Sequence, residues 1–100
     1  MPHFLIDPDE RLDFTFDWAS FLAEGGSPPD AIAGASFTIV PTDGGSPTGP
    51  LLSGEASSAS AATVFVSNCR AGAIYRLTNR IVTTAGRIAE RSITLRGEQQ

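Results

Sequence analysis

Cys69 and His3 are the only residues of their kinds in this 100-residue chain, and thiol catalysis would need them side by side. A cysteine becomes a nucleophile when a neighbouring base takes its proton. His3, however, lies between Pro2 and Pro8 in a stretch that reads as an extended arm, far from Cys69 in the chain. Cys69 therefore reads as a small apolar residue near a turn. The serines stand in no G-x-S-x-G setting and lack a histidine partner. One cysteine allows no internal disulfide, and together with one histidine it supplies too few ligands for a structural zinc.

Carboxylates are the next candidates. Asp13 and Asp17 fall on one face of a strand, four residues or about 13 Å apart, too far for either glycosidase geometry. Asp7, Asp9 and Asp13 sketch a calcium loop. Pro8 interrupts it, and the glycine and closing glutamate of such a loop are missing. Gly25-Gly26 and Gly44-Gly45 do not join a strand to a helix, so they are loop tips and not phosphate cradles. No catalytic residue, cofactor or metal is expected.

The elements that would position any site are strands. Leu12, Phe14, Phe16 and Trp18 alternate with Asp13, Thr15 and Asp17, which places four bulky groups on one face and three polar ones on the other. Four of the eight aromatic residues fall between Phe4 and Trp18, so this strand supplies much of the core. Ser20 to Glu24 can close one helical turn before Gly25-Gly26-Ser27-Pro28-Pro29-Asp30 breaks regular structure. Ala35 to Pro41 is the second strand, with Phe37 and Ile39 sharing a face. Thr42 to Pro50 is a surface loop, Leu51-Leu52 a short strand, and Ser53 to Ala62 a small-residue tract forming a loosely held edge or connection.

Thr63 to Ser67 forms a further strand, followed by a turn at Asn68 to Gly72. Ile74 to Val82 sets Tyr75, Leu77 and Ile81 against Arg76, Thr78 and Arg80. Asn79 shares the apolar face and needs hydrogen-bond partners if buried. Thr83-Thr84-Ala85-Gly86 is a hairpin turn in which Gly86 can take positive φ. Arg87 to Arg96 is the last strand, where Ile88 is out of phase with Ile93 and Leu95 and a bulge is expected between them. Five to seven short strands with regular turns imply an all-β chain of two packed antiparallel sheets. Ala71-Gly72-Ala73-Ile74-Tyr75 has the pattern of a tyrosine corner, which points to an immunoglobulin-like β-sandwich. The expected organisation is an extended N-terminal arm over 1–11, one sandwich domain over 12–97, and a short tail over 98–100.

Size and composition fit one folded domain, with 41% hydrophobic and 18% charged residues. No apolar run approaches a membrane span, and the N-terminus lacks the basic start and long apolar stretch of a signal peptide. A cytoplasmic origin, or at least synthesis without export, is the expectation. Charge is divided between the two parts of the chain. Residues 1–55 hold nine acids and one base, residues 56–100 six bases and two acids, giving −8 and +4 and the net −4. Every base is arginine, the cation that forms planar bidentate pairs at interfaces. An acidic total without a basic aromatic patch argues against nucleic-acid binding.

Three segments carry a resemblance. They are Asp7-Pro8-Asp9, the strand Leu12-Asp13-Phe14-Thr15-Phe16-Asp17-Trp18, and the C-terminal hairpin. In the hairpin the matching runs are Tyr75-Arg76-Leu77-Thr78-Asn79-Arg80-Ile81-Val82-Thr83-Thr84-Ala85-Gly86-Arg87 and Arg91-Ser92-Ile93-Thr94-Leu95-Arg96. Together they resemble small tailed-phage virion structural proteins of the fibre–tail adaptor type. The resemblance covers both ends, about half the chain, and none of residues 27–60. It implies a non-enzymatic virion component present in many symmetric copies among tail, fibre or baseplate proteins. Capsid decoration and head–tail joining are neighbouring roles, and a glycan-binding module is the reading from another class. Under the adaptor reading, Asp7, Asp9 and Asp13 would face arginines such as Arg76, Arg80 and Arg87 of an adjacent copy or partner.

Overall fold

A computed structural model of the chain describes residues 3–7, 9–24, 26, 29–42 and 50–98. The strands are β1 (His3–Ile6), β2 (Arg11–Asp17), β3 (Ile32–Pro41), β4 (Leu51–Ser57), β5 (Ala61–Ser67), β6 (Ile74–Thr83) and β7 (Ile88–Gly97). One short helix, α1 (Ala19–Ala23), follows β2. The strands form two sheets, of order β1-β7-β6-β3 and β2-β5-β4. Every pairing is antiparallel except β1 with β7, which is parallel.

Alternation explains which faces meet. On β2, Phe14 and Phe16 are buried while Asp13, Thr15 and Asp17 are exposed, as the spacing anticipates. Tyr75, Leu77, Asn79, Ile81 and Thr83 alternate inward along β6, and Val64 and Val66 along β5. Trp18 follows β2 as the residue before α1 and is 1% exposed within this core. The Phe16 ring meets Phe37 from the facing sheet with centroids 6.1 Å apart.

Asn79 obtains the partners that burial demands. Its Oδ1 accepts from Trp18 Nε1 at 2.7 Å, and its Nδ2 donates to the Ser36 carbonyl at 3.1 Å. Tyr75 is also buried, and its hydroxyl accepts the Arg70 backbone N–H at 3.2 Å, tying β6 to the turn before it. That turn presses on the end of β7. A Cβ on Gly97 would collide with the Arg70 backbone carbonyl, so only glycine fits there. Gly86, at φ 87°, closes the β6–β7 hairpin as its sequence context implies.

The structure departs from the sequence expectation at several elements. Residues 3–6 of the expected arm form an edge strand, held because Phe4 and Ile6 turn toward the core beside Leu95 and Gly97. Of the alternatives open over 53–62, an edge or a connection, the structure shows an edge: Ser53 to Ser57 belong to edge strand β4, which pairs with β5 through small residues around a register shift between Ser53 and Ala56. β3 begins at Ile32 and not at Ala35. No bulge interrupts β7 against β6. Pairing runs without a shift from Ile74–Arg96 to Val82–Ile88, and Ile88 simply points outward. Most of the expected loop over 42–50 lies outside the described residues.

Candidate interaction surface

Register fixes what each sheet shows to solvent. Across the outer face of the four-stranded sheet, Leu5, Arg96 and Ile74 form one row. Thr94, Arg76 and Val40 form the next, then Ser92, Thr78 and Thr38. Glu90, Arg80 and Ser36 follow, and Ile88, Val82 and Gly34 complete the face. Leu5, Val40, Ile74, Val82 and Ile88 are each between 38% and 58% exposed. Among the described residues only Phe4 and Leu51 are other large apolar side chains exposed to that degree. The apolar exposure of the protein is therefore concentrated on one face, at both ends of a polar middle.

That middle is partly fixed. Thr78 and Ser92 share a hydroxyl hydrogen bond of 2.8 Å, and Arg80 pairs with Glu90 at 3.2 Å with both groups half exposed. An exposed pair of this kind contributes little to stability, so its guanidinium can exchange partners at small cost. Three arginines stand against one glutamate on this face. Arginine among exposed aliphatic side chains is characteristic of protein interfaces, because its stem packs while its planar head makes directed bonds.

The outer face of the three-stranded sheet has the opposite sign. Asp13 and Asp17 are exposed there, opposed only by Arg11, whose guanidinium lies 4.0 Å above the Phe65 ring and bonds Ser53 Oγ at 3.2 Å. Thr15 and Thr63 hydroxyls bond each other at 2.8 Å. The division of charge along the sequence thus becomes, in part, a division between the two faces of the sandwich.

The six residues singled out from sequence fall into separate places. Arg76 and Arg80 share the outer face of the four-stranded sheet. Asp13 lies on the opposite face. Asp7 and Asp9 belong to the turn between β1 and β2, where the Asp7 carboxylate accepts the Asp9 N–H at 2.9 Å and Asp7 is buried. Arg87 is engaged within its own chain. Its Nε donates to Asp30 Oδ2 at 3.2 Å, and its guanidinium lies 4.2 Å over the Phe21 ring.

Asp30 is the residue that sequence reasoning passed over. Its side chain is almost fully enclosed and gathers the β6–β7 turn, accepting the Thr84 hydroxyl at 2.8 Å and the Ala85 N–H at 3.1 Å. The Thr83 hydroxyl above all, then that of Thr84 and the two backbone N–H groups of Ala31 and Ala85, hold its carboxyl far below the usual carboxylate range. Arg91 was likewise passed over. It covers the Trp18 ring at 4.3 Å and caps the Asp17 carbonyl at 3.0 Å. No local signal in the sequence links either pair, each being separated by more than fifty residues.

No cluster of three or more His, Cys, Asp or Glu that could hold a metal occurs among the described residues. Cys69 is buried, and burial raises its thiol to about 11.

A two-sheet all-β fold that brings five exposed aliphatic side chains and three arginines onto one sheet face has the build of an assembly part. Comparison with protein families gives that class a definite member. Residues 7–96 match the family described as podophage GP4 fiber-tail adaptor protein gp77, and the chain belongs to it. No match was found among curated proteins. The family is one of phage structural proteins, which makes this chain a phage structural protein acting alongside other virion proteins.

Proposed function

We propose that the chain is a non-enzymatic adaptor of the virion, made in the host cytoplasm, that joins tail and fibre or baseplate components through the outer face of its four-stranded sheet. The observation that carries this reading is the grouping of Leu5, Val40, Ile74, Val82 and Ile88 with Arg76, Arg80 and Arg96 on that single face. An exposed apolar set of this extent on a small domain is a surface to be covered by protein. Membership in the adaptor family supplies the setting.

The strand order supports an immunoglobulin-like reading, with β7-β6-β3 and β2-β5-β4 as the two halves and Tyr75 as the corner tyrosine. The two outer faces differ in charge and lie on opposite sides. Contact between Asp13 of one copy and Arg76 or Arg80 of the next is therefore head-to-tail, an arrangement that forms a ring when the rotation between copies closes. Asp9 can join this contact from its exposed turn. Asp7 and Arg87 act within the protomer. Neither nucleic acid nor membrane is a partner in this scheme.

Purified particles test the role. A fixed stoichiometry of the chain in virions, localised by cryo-electron microscopy between tail and fibre, is the expected result. Its absence from intact particles would overturn the adaptor role.

A further inference from the structure

The two sheets do not match in width, and the mismatch leaves a vacancy of defined shape. β3 lies over β4 and β5, so the sheets run in step from that side. The fourth strand of the larger sheet, β1, then overhangs the free edge of β2. Phe4 points inward from β1, in register with buried Leu95, yet remains 42% exposed. Its ring rests edge-on against Phe14 with centroids 5.5 Å apart. Between them runs a groove of about 280 Å³ lined by Phe4, Asp13, Phe14, Thr15, Phe16 and Ile93.

The backbone of β2 gives the groove its chemistry. Trp18 N–H bonds the Ser60 carbonyl, continuing the ladder with β5. In an antiparallel pair the bonded residues alternate, so Phe14 and Phe16 bond toward β5. The N–H and C=O groups of Asp13 and Thr15 consequently point out along the free edge, and no strand among the described residues takes them up. On that side the Asp17 carbonyl is capped by Arg91.

We propose that this edge takes up an extended segment of another protein as an additional β-strand, completing the smaller sheet beneath β1. The occupant alternates apolar residues, which cover Phe4 and the groove, with arginine or lysine, which lie beside Asp13 and Asp17. Pairing of β2 with β2 of a second copy is disfavoured. An antiparallel pair centred on Thr15 sets Asp13 opposite Asp17 twice, and like charges directly opposed repel. The inference rests on the adaptor role only for the source of the segment, which would be a virion partner.

The test titrates the isolated chain with a peptide of about nine residues alternating valine and arginine, long enough to span β2. A second peptide alternates valine with glutamate. Backbone amide exchange and chemical shifts are followed by nuclear magnetic resonance. The Asp13 and Thr15 amides are expected to exchange about tenfold or more slowly with the arginine peptide, and to be unaffected by the glutamate peptide. Thr15→Pro, which removes an N–H the fold does not use, should abolish the effect, as should Phe4→Ser in a chain that still melts cooperatively. Unchanged exchange at these amides, an equal response to both peptides, or shifts confined to the Val82–Ile88 face would each overturn the proposal. Failure here leaves the virion role standing, and absence from particles leaves the groove standing.

Discussion

Trp18 Nε1 donates to Asn79 Oδ1 across the interior at 2.7 Å, joining the end of β2 to the middle of β6. The pair turns a polar side chain at an apolar position into a fixed link between the sheets, since Asn79 also bonds the Ser36 carbonyl on β3. Trp18→Ala is expected to cost about 3–5 kcal/mol through the lost ring. Asn79→Ala, which orphans the indole N–H, should cost about 1–3 kcal/mol. Urea unfolding of each variant measures both, and unchanged midpoints would refute the link.

Asp30→Asn should lower the melting temperature at neutral pH, because the β6–β7 turn and Arg87 lose their shared carboxylate. The folded carboxyl lies below its unfolded value of about 3.9. Its contribution is therefore complete above that value and declines as pH falls toward the folded one. The gap between wild type and variant should narrow in acid. A gap that widens below pH of about 4 would contradict this sign.

Cys69 should resist thiol reagents at mildly alkaline pH while the chain is folded and react at once in denaturant, since its thiol is raised to about 11 and buried. A disulfide-exchange colour assay with and without urea reads this directly. Rapid reaction of the native chain would mean that the β5–β6 turn opens.

Gly97→Ala is expected to destabilise the fold by about 1–3 kcal/mol, because the new methyl must displace the Arg70 carbonyl that the turn holds against β7. Gly72→Ala is a useful contrast, having open space but positive φ. A thermal melt of Gly97→Ala equal to wild type would show that the turn can move aside.

How far this was legible in the sequence depended on the range of the interaction. The strand Leu12 to Trp18, the inward set on β6 and the need of Asn79 for partners follow from alternation, which is local and strict. Parity also held the clue to Ile88. An out-of-phase apolar residue has two explanations, a bulge or an outward position, and only the partner strand decides between them. Val40, Ile74 and Val82 carry the same ambiguity, so the interaction face was hidden until register joined them. Residues 3–6 looked like an arm because two prolines flank them, and parallel pairing with a strand nearly the whole chain away leaves no local trace. The charge division was visible, but sequence could not tell Arg87, drawn inward by Asp30, from Arg76 and Arg80, which remain outside. Small residues concealed how far β4 runs beyond Leu51-Leu52, since that part is held by pairing rather than by its own side chains.

The central claim is that the outer face of the four-stranded sheet is covered in the particle. The most direct measurement is a particle-assembly assay with the double variant Arg76→Glu, Arg80→Glu, accompanied by melting of the purified chain. Arg76→Glu alters an exposed site, and Arg80→Glu sets two glutamates opposite each other, so together they should cost no more than about 1–2 kcal/mol. The expected result is a folded protein that fails to enter virions. Normal incorporation of the folded double variant would contradict the claim.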